Sequence, residues 1–282
     1  MKTILLPVEP NTTIDSAFTV ADLIARRFGS QVEGIALKPS IVDFIAPDPV
    51  VVVMPQTSYS EAEAIRTARA LFDKFGALRS AAANGEGASK AVFSWSGRPA
   101  IDDAGLATLS RVFDVTVVGR PGLGRSEPRM TTLEAALFES GRPIIVAPPT
   151  SPRTFATNIL IHWNASTETA RTINDAMPLL RLADKVTLLT VEGNMVAGPS
   201  ASDMLGYLST HGIKGTEAYA KPVGKGGGKG SVGETILAEA RKVGADLLVK
   251  GAYTQSRLRQ MIFGGATQHV LQSSPIPVIL SH

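Results

Sequence analysis

The feature that most narrows what this chain can fold into is a strand written twice. Residues 114–119 read Asp-Val-Thr-Val-Val-Gly, and residues 246–251 read Asp-Leu-Leu-Val-Lys-Gly. Each is an apolar run closed by glycine, without the alternation that a half-wet strand shows. Both are therefore expected to lie buried on two faces of a parallel sheet. The echo extends outward: residues 143–146 (Pro-Ile-Ile-Val) match 277–280 (Pro-Val-Ile-Leu), and 3–8 (Thr-Ile-Leu-Leu-Pro-Val) match 158–163 (Asn-Ile-Leu-Ile-His-Trp). Residues 32–37 match 186–191 in the same way. An internal repeat of this size means two copies of one supersecondary plan.

Helical patterns separate the strands. Residues 15–28 place Phe18, Ala21, Leu23, Ile24 and Ala25 on one face and stop at Gly29. Further helices are expected at 60–83, 99–112 and 131–140, then at 167–183, 200–211 and 231–243, with third strands at 91–95 and 216–220. This alternation predicts the α/β class, as two tandem doubly wound parallel five-stranded sheets. A length of 282 residues accommodates two domains. The Pro/Ser-rich stretch 147–154 marks their boundary, giving domains 1–150 and 154–282. One segment breaks the symmetry. Residues 38–59, with Phe44, Ile45 and Val50 to Val53, are too long for an ordinary connection and too apolar for a solvent loop. They are expected to form a lid, a flap or a contact surface.

Several chemistries are excluded or disfavoured. The chain has no cysteine, hence no disulfide, thiolate metal site or cysteine nucleophile. His162, His211, His269 and His282 have no partner three or four residues away, so no metal is expected. No Gly-x-Ser-x-Gly elbow or nucleophile–base pair can be read, and no catalytic residue is assigned. Asp102 and Asp103 read as a solvated helix face, and His162 with Trp163 as packing at a strand end, although Trp163 stands where a base could stack. The longest apolar run, residues 50–54, falls far short of a membrane span, and the start of the chain, broken by Pro7, does not read as a secretory signal. A net charge of +3 with acids and bases interspersed gives no nucleic-acid signature. A cytoplasmic, non-enzymatic protein is the expectation.

The anion-binding signals lie in the second half. Gly251 ends a strand, and Gly264 and Gly265 open a helix. Glycine lets backbone approach a phosphate, and a helix N-terminus offers unpaired N–H groups; a tight turn alone would need the same residue types. Residues 224–230, Gly-Lys-Gly-Gly-Gly-Lys-Gly, fail the P-loop pattern because Gly230 stands where Ser or Thr should follow. They lie between a strand and a helix, where Lys225 and Lys229 could reach phosphates, but read more readily as a flexible surface loop.

Buried strand, glycine, polar loop, glycine pair, helix and Pro-Val strand together resemble the C-terminal signature of the universal stress protein family, here as a tandem pair on an adenine nucleotide alpha hydrolase-like fold. The family's nucleotide-binding branch carries Gly-x2-Gly-x9-Gly-Ser/Thr and an Asp after the first strand. Here Gly251, Thr254, Gly264 and Gly265 keep that spacing with two residue types changed, and Asn164 replaces the Asp. The resemblance implies ATP or another adenine nucleotide as ligand, held by Asn164, Val191, Gly251, Thr254, Gly264, Gly265 and Thr267. In the first half Gly119 and Gly122 persist, but Thr132 and Leu133 follow and Glu9 stands after the first strand, so that copy is expected to be degenerate. The resemblance further implies pairing through the last strands, 143–147 and 277–280, across the two domains or in a homodimer. Two functions fit these features: a nucleotide-binding stress-response module, or a nucleotide-free interaction protein working through its flap and strand edges.

Overall fold

The computed structural model describes residues 1–38, 60–82, 91–122, 124, 126–222, 229–252 and 265–282. Most of the apolar 38–59 segment, and residues 224–228 of the glycine-lysine stretch, therefore lie outside the described residues. The first half runs β1 (Thr3–Val8), α1 (Ile14–Phe28), β2 (Gln31–Ala36), α2 (Glu61–Ala82), β3 (Val92–Trp95), α3 (Asp103–Ser110), β4 (Val115–Gly119), α4 (Met130–Glu139) and β5 (Ile144–Ala147). The second half repeats it as β6 (Asn158–His162), α5 (Thr167–Leu180), β7 (Lys185–Val191), α6 (Ala201–Thr210), β8 (Gly215–Ala220), α7 (Lys229–Val243), β9 (Leu247–Lys250), α8 (Gly265–Ser273) and β10 (Val278–Leu280).

The ten strands of the described residues join one sheet, in the order β3-β2-β1-β4-β5-β10-β9-β6-β7-β8. Within each half every neighbouring pair is parallel, as expected of strands buried on both faces. The halves meet through an antiparallel pair, with Val278 opposite Val146, Ile279 opposite Ile145 and Leu280 opposite Ile144. The expected pairing of last strands thus occurs inside one chain. Each takes up the other's edge, leaving neither available to a second copy.

Strand alternation divides the core between two faces. Ile4, Leu6 and Val8 point to the layer of α1 and α2, and Ile159 and Ile161 to that of α5 and α6, with Phe18, Phe72, Ile173 and Leu208 opposite them. Leu5 and Leu160 point the other way, against Leu106, Leu137, Ile236 and Val270 of α3, α4, α7 and α8. Local signals set the helix limits. Ser200 and Asp203 form a reciprocal capping box on α6, and Asp102 caps α3 by accepting from the Gly105 N–H. Helix α3 is shorter than the sequence suggests because Ile101 is held extended, bridged to Leu37 in parallel.

The repeated aspartate has one job in both copies. Asp246 at the foot of β9 accepts from the backbone N–H groups of Thr157 (2.9 Å) and Asn158 (2.9 Å), which begin β6. Asp114 does the same for Lys2 and Thr3 at the foot of β1. Burial opposes the charge on Asp114, yet those backbone donors hold its pKa below the usual carboxylate value. Each carboxylate fixes the register of the central strand pair in its half. Replacing Asp246 by Ala strands two N–H groups and should cost roughly 1.5–3 kcal/mol, read as a lower urea midpoint with an unchanged m-value.

Candidate functional site

In the second half the strand order reverses between β6 and β9. The chain leaves β6 for α5 on one face of the sheet, whereas α8, which follows β9, lies on the other. A crevice opens at such a point beyond the carboxyl ends of the strands, and α/β proteins bind ligands there.

The expected site residues distribute around this carboxyl edge. Asn164, two residues past β6 and 7% exposed, accepts through Oδ1 from the Thr169 hydroxyl (2.6 Å) and the Ser166 N–H (3.2 Å), which orders the entry to α5. Val191, the last residue of β7, is buried in the α7/α8 layer beside Leu189. Gly251 follows β9 at a place where any side chain would collide: a Cβ there would lie 2.5 Å from the Thr169 N atom and 2.8 Å from the Glu168 carbonyl carbon. That glycine is accordingly required by the packing of β9 against the first turn of α5, whatever the edge holds. Gly265 is the first residue of α8 and Thr267 is buried in its first turn. Thr254 and Gly264 lie outside the described residues. The structure thus brings Asn164, Gly251, Gly265 and Thr267 to one edge, with Val191 at the end of the neighbouring strand.

Two further residues at this edge escaped the sequence reading of the site. Lys250 and His162 are register partners on β9 and β6 and share the face under α7 and α8. The Lys250 Nζ, although 5% exposed, donates to the Thr267 Oγ1 (2.7 Å) and to the Gly251 carbonyl (2.9 Å). Burial lowers its pKa to about 8. His162 is 2% exposed and is neutral: burial, then the adjacent Lys250 charge, lower its pKa to about 3 against a hydrogen bond with Asn194. Its Nε2 has no hydrogen-bond partner among the described residues. The available signal was a lysine inside an otherwise apolar strand, where the first half has Val118. Trp163 is packing rather than a stacking platform, being 1% exposed with Nε1 donating to the Pro199 carbonyl (3.2 Å).

The corresponding edge of the first half is closed by its own side chains. The Arg129 guanidinium lies 3.2 Å from Asp103 and 3.6 Å from Glu9, and Thr132 donates to Asp103 at 2.7 Å. The Thr12 hydroxyl donates to Glu127 (2.6 Å), and the Ser126 carbonyl accepts from the Thr12 N–H (2.9 Å), drawing the 126–129 loop onto the β1–α1 turn. The expectation of a solvated Asp102–Asp103 pair is corrected here. Asp102 is the α3 cap and Asp103 is buried at 9% exposure because α4 brings Thr132 and Arg129 over it.

Among the described residues no His/Asp/Glu cluster could hold a metal ion, and no helix is long and apolar enough to cross a membrane.

Known proteins share this architecture. Residues 159–282 match the Universal stress protein family. A universal stress protein from Archaeoglobus fulgidus DSM 4304 superimposes with a TM-score of 0.71 over 99% of this chain and 97% of its own, at 14% identity. A functionally unknown protein from Pseudomonas aeruginosa PAO1 does so with a TM-score of 0.55 over 100% of this chain and 92% of its own, at 15% identity. At these identities the likeness is one of fold. The Stress response protein NhaX of Bacillus subtilis (strain 168) is 35% identical over 52 residues, 18% of this chain and 31% of its own length. The chain therefore spans under a third of that curated relative.

The buried imidazole sets an acid limit. With a folded pKa near 3 and an unfolded value near 6.5, the unfolded chain takes up the proton first, so stability falls as pH drops from 6.5 toward 3. At about 1.4 kcal/mol per pH unit the loss reaches at most roughly 5 kcal/mol. Urea titrations at pH 7, 5 and 4 should show this decline, and His162→Leu should flatten it.

Proposed function

We propose, from the match of residues 159–282 to the Universal stress protein family, that this protein is a stress-response module binding ATP or another adenine nucleotide at the carboxyl edge between β6 and β9. The observation that carries this is the reversal of strand order, which brings Asn164, Gly251, Gly265 and Thr267 to one carboxyl edge between helices on opposite faces. The N-terminus of α8 opens on that edge with a glycine, leaving backbone N–H groups without intrahelical partners to receive phosphate. Asn164 stands where a base edge would be met, with Val191 at the end of the adjacent strand. Two substitutions relative to the family's motif, at Thr254 and Gly265, remove neither the spacing nor the helix terminus.

The proposed role is binding rather than catalysis, with the bound state read by other components of the cytoplasm. The two domains, 1–150 and 154–282, are proposed to divide the work. The first carries an edge closed by Arg129, Glu9 and Asp103, and the second holds the ligand.

Calorimetric titration of the full chain with ATP should give saturable heat, and ATP should raise the melting temperature by mass action. Gly264→Val should weaken binding at least about tenfold, a loss of roughly 1.4 kcal/mol, with the far-ultraviolet circular dichroism unchanged. A titration with no heat, together with no thermal shift, would sink the nucleotide reading and return weight to a nucleotide-free interaction protein.

A further inference from the structure

At the end of β9 the described residues place a buried ammonium that no carboxylate contacts, although the acidic residue Glu168 packs its backbone against the neighbouring Gly251. The Lys250 ammonium is buried and is met by two neutral acceptors, the Gly251 carbonyl and the Thr267 hydroxyl. Among the described residues no carboxylate lies within ion-pair distance of it. The connection from 253 to 264 cannot supply one by composition: it contains Arg257 and Arg259 and no Asp or Glu. Thr267 belongs to the first turn of α8, the helix end that itself carries positive partial charge. Beside Lys250 stands His162, neutral, 2% exposed and with Nε2 unpartnered among the described residues. A buried cation without a counter-charge is costly, and an imidazole nitrogen buried without a hydrogen bond adds to the cost. Both costs fall at the edge that carries the proposed site.

The first half resolves the same problem internally. There the cation is Arg129, and Glu9 and Asp103 neutralise it, while the position equivalent to Lys250 is the apolar Val118. In the second half Lys250 is met by neutral acceptors, and among the described residues no carboxylate pairs with it. We propose that Lys250, with Thr267 and the N-terminus of α8, is the anchor for the phosphate groups of the ligand, so that the site selects phosphorylated nucleotides over nucleosides. This rests on the nucleotide-binding reading above and adds to it a specificity residue outside the glycine motif. The bound phosphate accepts from the ammonium and from the helix N–H groups and supplies the missing negative charge.

The test uses the full chain with three probes: ATP, adenosine and inorganic tripolyphosphate. Lys250→Met keeps an apolar stem of similar length and should fold, which urea denaturation checks. It should weaken ATP binding by roughly 10- to 100-fold, as loss of a hydrogen-bonded charge does. Adenosine affinity should be unchanged, and tripolyphosphate should no longer compete. Unchanged ATP affinity in Lys250→Met, or an equal loss for ATP and adenosine, overturns the anchor and leaves the nucleotide reading standing. If the wild type binds tripolyphosphate but neither ATP nor adenosine, and Lys250→Met loses it, the nucleotide reading falls while the anchor stands. Should the wild type bind none of the three, both fall. If Lys250→Met does not fold, Thr267→Val decides in its place by the same ratio of ATP to adenosine affinity.

Discussion

The arrangement of this protein depends on the three residue pairs that join β5 to β10. They run antiparallel, and every other strand is parallel to the last strand of its own half. The two five-stranded units therefore point in opposite directions within one continuous sheet. Their carboxyl edges, the places where an α/β unit can bind, lie at opposite ends. The two candidate sites are thereby kept apart, and each must be completed by residues of its own half. The same pairing covers two strand edges that would otherwise invite association.

Given separate sites, the chemistry of each edge follows from a few side chains. In the first half, Arg129 is drawn between Glu9 and Asp103, and the loop before α4 is tied down by Thr12 and Glu127. In the second, Asn164 and Thr169 order the turn into α5, and Lys250 reaches Thr267 across the gap between β9 and α8. The glycines at 119 and 251 are shared, and the packing explains why. Cβ atoms there would collide with Thr13 and Pro128 in one half and with the backbone of Glu168 and Thr169 in the other. Glycine at the strand exit reports close packing of strand on helix, and so by itself says little about ligand.

This bears on how far the sequence could be read. The strands were legible because burial on both faces leaves an unbroken apolar run, and the repeat supplied each assignment twice. The pairing of the last strands was legible from the resemblance. Asp103 was misread because its neighbours come from a different helix: the local pattern shows an acid in a first turn, whereas Thr132 and Arg129 arrive only through tertiary packing. Lys250 was overlooked for a related reason. A lysine at a strand end ordinarily extends into water, and only the cover provided by α8 turns it into a buried charge.

The positions of Val118 and Lys250 carry one more consequence. In a symmetric dimer of single-repeat chains, any substitution is installed twice, once in each subunit. A cation placed at the exit of one fourth strand would stand at the exit of the other as well. Covalent tandem linkage removes that obligation. Here the two corresponding places hold a valine and a lysine, and among the described residues no carboxylate pairs with that lysine. The duplicated chain is thus free to hold two electrostatically different compartments on a single sheet, one with Arg129 between Glu9 and Asp103 and one with a buried ammonium met by neutral acceptors.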